Sequence, residues 1–315
     1  MKRAAITLGI VLGALLLAPA IFAQGEKEGQ GRAVVTVLPK STGDSSVDAA
    51  PNGLSLKVNG KEATVAKWTP LRGNRGGLEL VVLIDGSARS SLGRQLDDIT
   101  HFVQSLPPDA RVAIGYMQNG NAALSGPLTT DRAEALRGLH IPAGSPGSNG
   151  SPYFALSDLA KRWPSEDPSA RREVLMVTNG VDEYNRRLDL DDPYVQAAVN
   201  DSVRARIIIY AIYWRDQGRV DQTQYANNTG QNLIQIVTDA TGGKNFWIGS
   251  GNPVSFQPYL EELNRRFRNQ YELSFITRLN GKPEIQTMKL KLSSPGSEVT
   301  APQQVLVGRA TVTQD

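Results

Sequence analysis

The sequence predicts an α/β protein: a doubly wound, mostly parallel sheet with helices on both faces, flanked by a small β-rich module. Three observations carry this prediction. Four short segments are apolar almost throughout: "LELVVLID" (78–85), "EVLMVTNG" (173–180), "RIIIYAIYW" (206–214) and "KNFWIG" (244–249). Strands of that kind are buried on both faces, as parallel strands are. Helical patterns separate the four, which is what parallel crossovers require. The two flanks alternate apolar and polar residues instead, the signature of half-buried antiparallel strands.

The elements follow in chain order. Residues 1–23 read as a signal peptide, with "MKR", the apolar "AAITLGIVLGALLLAPAIFA" and a small-residue pattern ending at Ala23. A retained anchor is the alternative; Pro19 and the polar "QGEKEGQG" that follows argue for cleavage. Residues 24–32 are polar and glycine-rich and read as a disordered tail. Residues 33–76 form a β-rich segment, with a strand at "AVVTVLP" and a hairpin around Asn59-Gly60 in "LSLKVNGKEATVAKWTPL".

Residues 77–269 carry the strand–helix alternation. After the first buried strand, Leu92, Leu96, Ile99, Val103 and Leu106 share one face of a helix over 91–106. "ARVAIGYM" and "NAALSGPL" read as short strands, and Asp131 as the N-cap of "RAEALRGL". "PYFALSDLAKRW" is helical, and Asp192-Pro193 supplies N-cap and first helical residue for "YVQAAVNDSVRA". "NLIQIVTDATGG" is a helix ending on glycine. Phe256, Leu260, Leu263 and Phe267 mark a last amphipathic helix. Trp68, Trp163 and Trp247 read as core residues, and 213–231 as a polar loop in which Trp214 and Tyr225 are candidate interface anchors. Residues 270–310 return to alternating strands, which pack with the N-terminal segment.

Composition bounds the function. The chain has 315 residues, 40% of them hydrophobic, enough for a sizeable core. It has no cysteine, so an exported protein of this kind must rely on that core, and thiolate metal sites are excluded. Charge is nearly balanced, with 34 Lys and Arg against 31 Asp and Glu, and no basic stripe points to nucleic acid. No further segment is long and apolar enough to span a membrane. The expected location is secreted, periplasmic or at the cell surface.

In doubly wound sheets ligands bind beyond the carboxyl ends of the strands. The candidates are "DGSARS" (85–90), Ser151 in the loop opening the next helix, and Thr178-Asn179-Gly180-Val181-Asp182 after the second strand. The set "LSLKVNGKEATVAKW", "LELVVLIDGSARSS", "LTTD", the Gly/Ser loop before "FALSDL", "VLMVTNGVDEY", "IYAIYW", "ATGGKNFW" and "NQYELSFI" resembles, in this order, the von Willebrand factor type A domain. It is closest to the secreted bacterial VWFA-related proteins, and the resemblance spans residues 33–308.

The resemblance implies a metal-ion-dependent adhesion site built from Asp-x-Ser-x-Ser, a threonine from a second loop and an aspartate from a third. Asp85 and Ser87 match, Ser151 stands for the threonine, and these three are the candidate metal ligands. Arg89 replaces the second serine and Asn179 the aspartate. Mg²⁺ is normally held by one or two carboxylates with waters, and the loss at Asn179 weakens that set. A fixed guanidinium about 4 Å from the cation position opposes it by roughly 4 kcal/mol at an effective dielectric near 20. The expectation is a degenerate site in which Arg89 supplies the cation, without a cofactor. Arg89 turned outward with Mg²⁺ retained, or Asp182 moving in as a replacement carboxylate, are the alternatives. Ser90 completes the candidate binding set.

The expected function is that of an exported, non-catalytic binding or adhesion protein whose protein partner presents an acidic group to Arg89. A divalent-metal-dependent adhesion module is the first alternative and an uncharacterised hydrolase the second. Against the hydrolase, His101 and His140 are the only histidines, and neither accompanies a Gly-x-Ser-x-Gly elbow. The acidic stretch over 182–192 lacks calcium-loop spacing and reads as a solvated loop leading into a helix.

Overall fold

The computed structural model describes residues 27–41, 48–51, 53–72, 77–86, 88, 90–142, 150–185, 187, 189–215, 223–247 and 251–309, with 90 and 91 described by backbone alone. The chain opens with β1 (Lys27–Pro39), β2 (Ser55–Val58), β3 (Lys61–Glu62) and β4 (Thr64–Pro70). Next, β5 (Leu78–Asp85) leads through a 3-10 turn (Ser90–Arg94) into α1 (Gln95–Ser105). Then come β6 (Arg111–Gln118), β7 (Asn121–Leu124), α2 (Arg132–Leu136) and α3 (Pro152–Lys161). They are followed by β8 (Arg171–Thr178), α4 (Pro193–Ala205), β9 (Ile207–Tyr213), α5 (Gln224–Thr241) and β10 (Lys244–Phe246). Last are α6 (Gln257–Arg268), β11 (Gln270–Leu279), β12 (Glu284–Lys291), β13 (Ser297–Thr300) and β14 (Gln304–Arg309).

Two sheets result. Six strands run in the order β10-β9-β8-β5-β6-β7. The first five are parallel, and β7 closes the edge antiparallel to β6. Every residue of β5 and β9 is buried, because α1 and α6 cover one face and α3, α4 and α5 the other. The second sheet has eight strands in the order β3-β2-β12-β14-β1-β11-β4, with β13 also on β1. It is antiparallel throughout.

The expected fold class is corrected by this topology. A doubly wound, mostly parallel sheet with a small β-rich module does not describe a chain whose larger sheet is antiparallel and whose smaller one is mixed. The cause lies in β1. Residues 27–32, read as part of a disordered tail, pair with β11 and β14. Their polarity reflects a half-solvated strand end, and backbone pairing leaves no trace in composition. Along β1, Ala33, Val35 and Val37 enter the core of the eight-stranded sheet with Leu273, Phe275 and Val307. Val34, on the opposite face, packs against the core under α1 and α6. One strand therefore serves both layers.

Local signals fare better than global ones. Asp131 caps α2, and Asp192 caps α4 with Pro193 in the first turn. Asn59 and Gly60 take the positive φ values (51° and 76°) of a tight hairpin turn. Two tryptophans depart from expectation. Trp247 is 51% exposed, one residue beyond the three-residue β10. Trp214 is buried at the end of β9 with its ring edge-on to Phe256, so it is a core residue and no interface anchor. α5 also begins earlier than expected, at Gln224.

Buried charges join the layers. Arg266 of α6 is fully buried and donates to Glu262 at 2.9 Å, to Glu298 of β13 at 3.0 Å and to Thr300 at 3.3 Å. Beneath the six-stranded sheet, Glu173 is fully buried 3.3 Å from the Arg171 guanidinium.

Candidate functional site: the strand-tip cleft

The site grows from the ends of two adjacent strands. β5 stops at Asp85, which is only 8% exposed. The Thr178 hydroxyl, at the end of β8, donates to Asp85 Oδ2 at 2.7 Å and accepts the Gly180 amide at 3.1 Å. Gly180 has φ +69°, and a Cβ there would lie 2.4 Å from the Gly230 carbonyl oxygen. A side chain at Gly230 would in turn meet the Asn179 carbonyl oxygen at 2.4 Å. This close approach seats α5 against the tip, and only glycine permits it.

The loop after β8 is wound on its own side chains. Asn179 Oδ1 accepts the Val181 amide at 2.8 Å, an Asx turn. Asp182 is 1% exposed. Its Oδ1 accepts the amides of Tyr184 and Asn185 at 2.8 and 3.0 Å, and its Oδ2 accepts the Ser151 hydroxyl at 2.9 Å. Ser151 also caps α3 through the Phe154 amide. Burial raises the Asp182 pKa, and the donors from Asn185, Ser151 and Tyr184 hold that rise back. Below them the Tyr153 hydroxyl donates to the Gly180 carbonyl at 2.7 Å. Burial, then Asp182, Asp192 and Asp85, push its pKa well above normal, so it stays a donor.

A narrow cleft lies over this scaffold, lined by Asp85, Ser151, Asn179 and Glu183 and by Met117 and Asn119. The structure thus brings together three residues expected at the site: Asp85, Ser151 and Asn179. Asp182 sits beneath the cleft as a brace for Ser151, instead of entering as a substitute carboxylate. Ser87 and Arg89 lie outside the described residues, and Ser90 opens the 3-10 turn. The sequence reading placed Thr178 in the second strand tip and Glu183 in the acidic stretch beside it, and missed the β6–β7 turn. The turn did carry a signal: Asn119-Gly120, with φ of 47° and 78°, is a two-residue hairpin sequence.

Of the three expected metal ligands, Asp85 and Ser151 line the cleft and Ser87 lies outside the described residues. Asn179 Oδ1 and both Asp182 oxygens are committed to the chain's own turns, which leaves Asp85 and Glu183 as the carboxylates lining the cleft.

No family model matches the chain, and no curated protein matches it. Among solved structures it is similar to one described as von Willebrand factor type A from Catenulispora acidiphila (12% identity, TM-score 0.45, 88% of this chain and 74% of that one). It is also similar to an aerotolerance-related membrane protein from Bacteroides fragilis NCTC 9343 (15% identity, TM-score 0.41, 61% and 98%). A third is the pilus adhesin SpaC from Lactobacillus rhamnosus GG in an open conformation (9% identity, TM-score 0.41, 86% and 50%). No helix among the described residues is long and apolar enough to cross a membrane.

Proposed function

We propose that this is an exported, non-catalytic protein-binding module of the von Willebrand factor type A kind. In this reading its strand-tip cleft engages an acidic group of the partner without a divalent ion. The observation that carries the proposal is the use of the Asn179 and Asp182 oxygens in the chain's own turns beside Asp85. Arg89, four positions after Asp85 in the sequence, is then the partner's counter-charge, since a guanidinium fork forms strong charge-assisted hydrogen bonds to carboxylates. A non-catalytic role is supported by the Ser151 hydroxyl, which is held by Asp182, and by the absence of a histidine from the cleft lining.

Because Asp85 and Glu183 both line the cleft, a metal-assisted reading is the alternative. A phage-displayed random peptide library panned on the full chain in EDTA separates the two. The proposal expects Asp- or Glu-bearing peptides whose binding, read by fluorescence anisotropy, ignores EDTA and is lost in Arg89→Ala. Enrichment only with Mg²⁺, or binding unchanged in Arg89→Ala, contradicts it.

A further inference from the structure

At the end of the molecule opposite the Asp85 cleft, the two sheets part around an open cavity. Its walls come from the starts of β8 and β9 on one side and from β1, β11 and β14 on the other. Arg32, Arg172 and Arg206 all line it, as does a single carboxylate, Glu272. Arg171 lines it too, but its guanidinium is held by the Phe267 carbonyl, Gln270 and Glu173, and that of Arg172 donates to the Ser165 and Asp167 carbonyls beside the Trp163 ring. Val203, Ile207 and Leu306 give the same cavity an apolar wall.

The backbone adds an independent observation. Arg206 ends α4 in the left-handed region, φ +57° and ψ 42°, with its amide on the Ser202 and Val203 carbonyls. Glycine or asparagine usually takes that position, because a Cβ is costly there. This chain keeps an arginine instead, at an exposed position lining the cavity. Local strain of this sort is retained where a side chain has a task. Burial and then the neighbouring Arg32 and Arg172 cations lower the Arg206 pKa, and Glu272 offsets this only in part. Converging cations of this kind favour an anion.

We propose that this cavity binds an amphipathic organic anion, its charged head between Arg32 and Arg206 and its apolar body along Val203, Ile207 and Leu306. The site is separate from the strand-tip cleft and stands whether or not that cleft binds a partner. Removing one arginine deletes a charge-assisted contact worth about a tenfold change in affinity or more.

The test uses the full chain and 8-anilinonaphthalene-1-sulfonate at low salt. N-phenyl-1-naphthylamine, the same body without the sulfonate, is the uncharged control. The proposal expects saturable one-to-one binding of the sulfonate and binding of the amine at least about tenfold weaker. Arg206→Gly, which suits the backbone, and Arg32→Ala, at an exposed position, should each weaken sulfonate binding by about tenfold or more with the thermal midpoint retained. No saturable binding, equal affinity for the amine, or unchanged affinity in both variants overturns the proposal.

Discussion

The Thr178 hydroxyl bridges two neighbouring strand ends, donating to Asp85 Oδ2 at 2.7 Å while accepting the Gly180 amide at 3.1 Å. Both partners are buried, so an apolar replacement strands a carboxylate oxygen and an amide together. Thr178→Val should cost about 1–3 kcal/mol, with Thr178→Ser recovering most of it. Urea unfolding of the two variants measures this, and equal stability of valine and wild type would show the bridge to be idle.

Gly230 opposes two effects whose sizes decide the sign. Alanine in a helix interior gains about 0.5–1 kcal/mol over glycine. Here its Cβ would lie 2.4 Å from the Asn179 carbonyl oxygen and 3.0 Å from the Gly180 carbonyl carbon, both backbone atoms. Overpacking of that kind costs about 1–3 kcal/mol. Gly230→Ala is therefore expected to lower the thermal midpoint, and a raised midpoint would mean that the tip loop yields freely.

Arg266 ties α6 to β13 through Glu262 and Glu298 with no exposure of its own. Arg266→Met keeps the volume but leaves two carboxylates without their guanidinium. Glu298 is half exposed and Glu262 keeps Lys244 at 2.8 Å, so the expected loss is about 1–3 kcal/mol, by chemical denaturation. Lysine should not rescue it, since one ammonium cannot reproduce a fork that reaches two carboxylates and Thr300.

Glu173 sets a pH dependence. Burial raises its pKa from 4.5 to about 7, with Arg171 and the Gln270 and Tyr210 side chains offsetting only part of the shift. Below pH 4.5 the group is protonated in both folded and unfolded chains. Between 4.5 and about 7 the unfolded chain gives up the proton first. Stability should fall across that window by about 3 kcal/mol and stay lower above it. Glu173→Gln should flatten this part of the profile, which unfolding at pH 5 and pH 8 would reveal.

What the sequence discloses is mostly local. Asp131, Asp192-Pro193 and Asn59-Gly60 act within a few residues of themselves, and each does in the structure what its chemistry indicates. The fold class failed at long range. The register of β1 on β11, such as Ala33 opposite Leu273, joins residues more than two hundred positions apart, and no periodicity within either strand encodes it. The site divides in the same way. Asp85 and Asn179 are visible because apolar strands stop at them. The Ser151–Asp182 pair exists only because the start of α3 meets the loop after β8, and the Thr178–Asp85 bond only because β8 lies beside β5. Trp247 misled because aromatic character suggests burial, while the strand before it is too short to carry it inside.

Calorimetric titration of the full chain with Mg²⁺ and Mn²⁺, beside Asp85→Ala, bears most directly on a cleft that works without a divalent ion. No binding tighter than about 1 mM is expected in either protein, because Asn179 brings no charge and the Asp182 oxygens are held by Tyr184, Asn185 and Ser151. Binding well below that concentration in the wild type, abolished by Asp85→Ala, would contradict it.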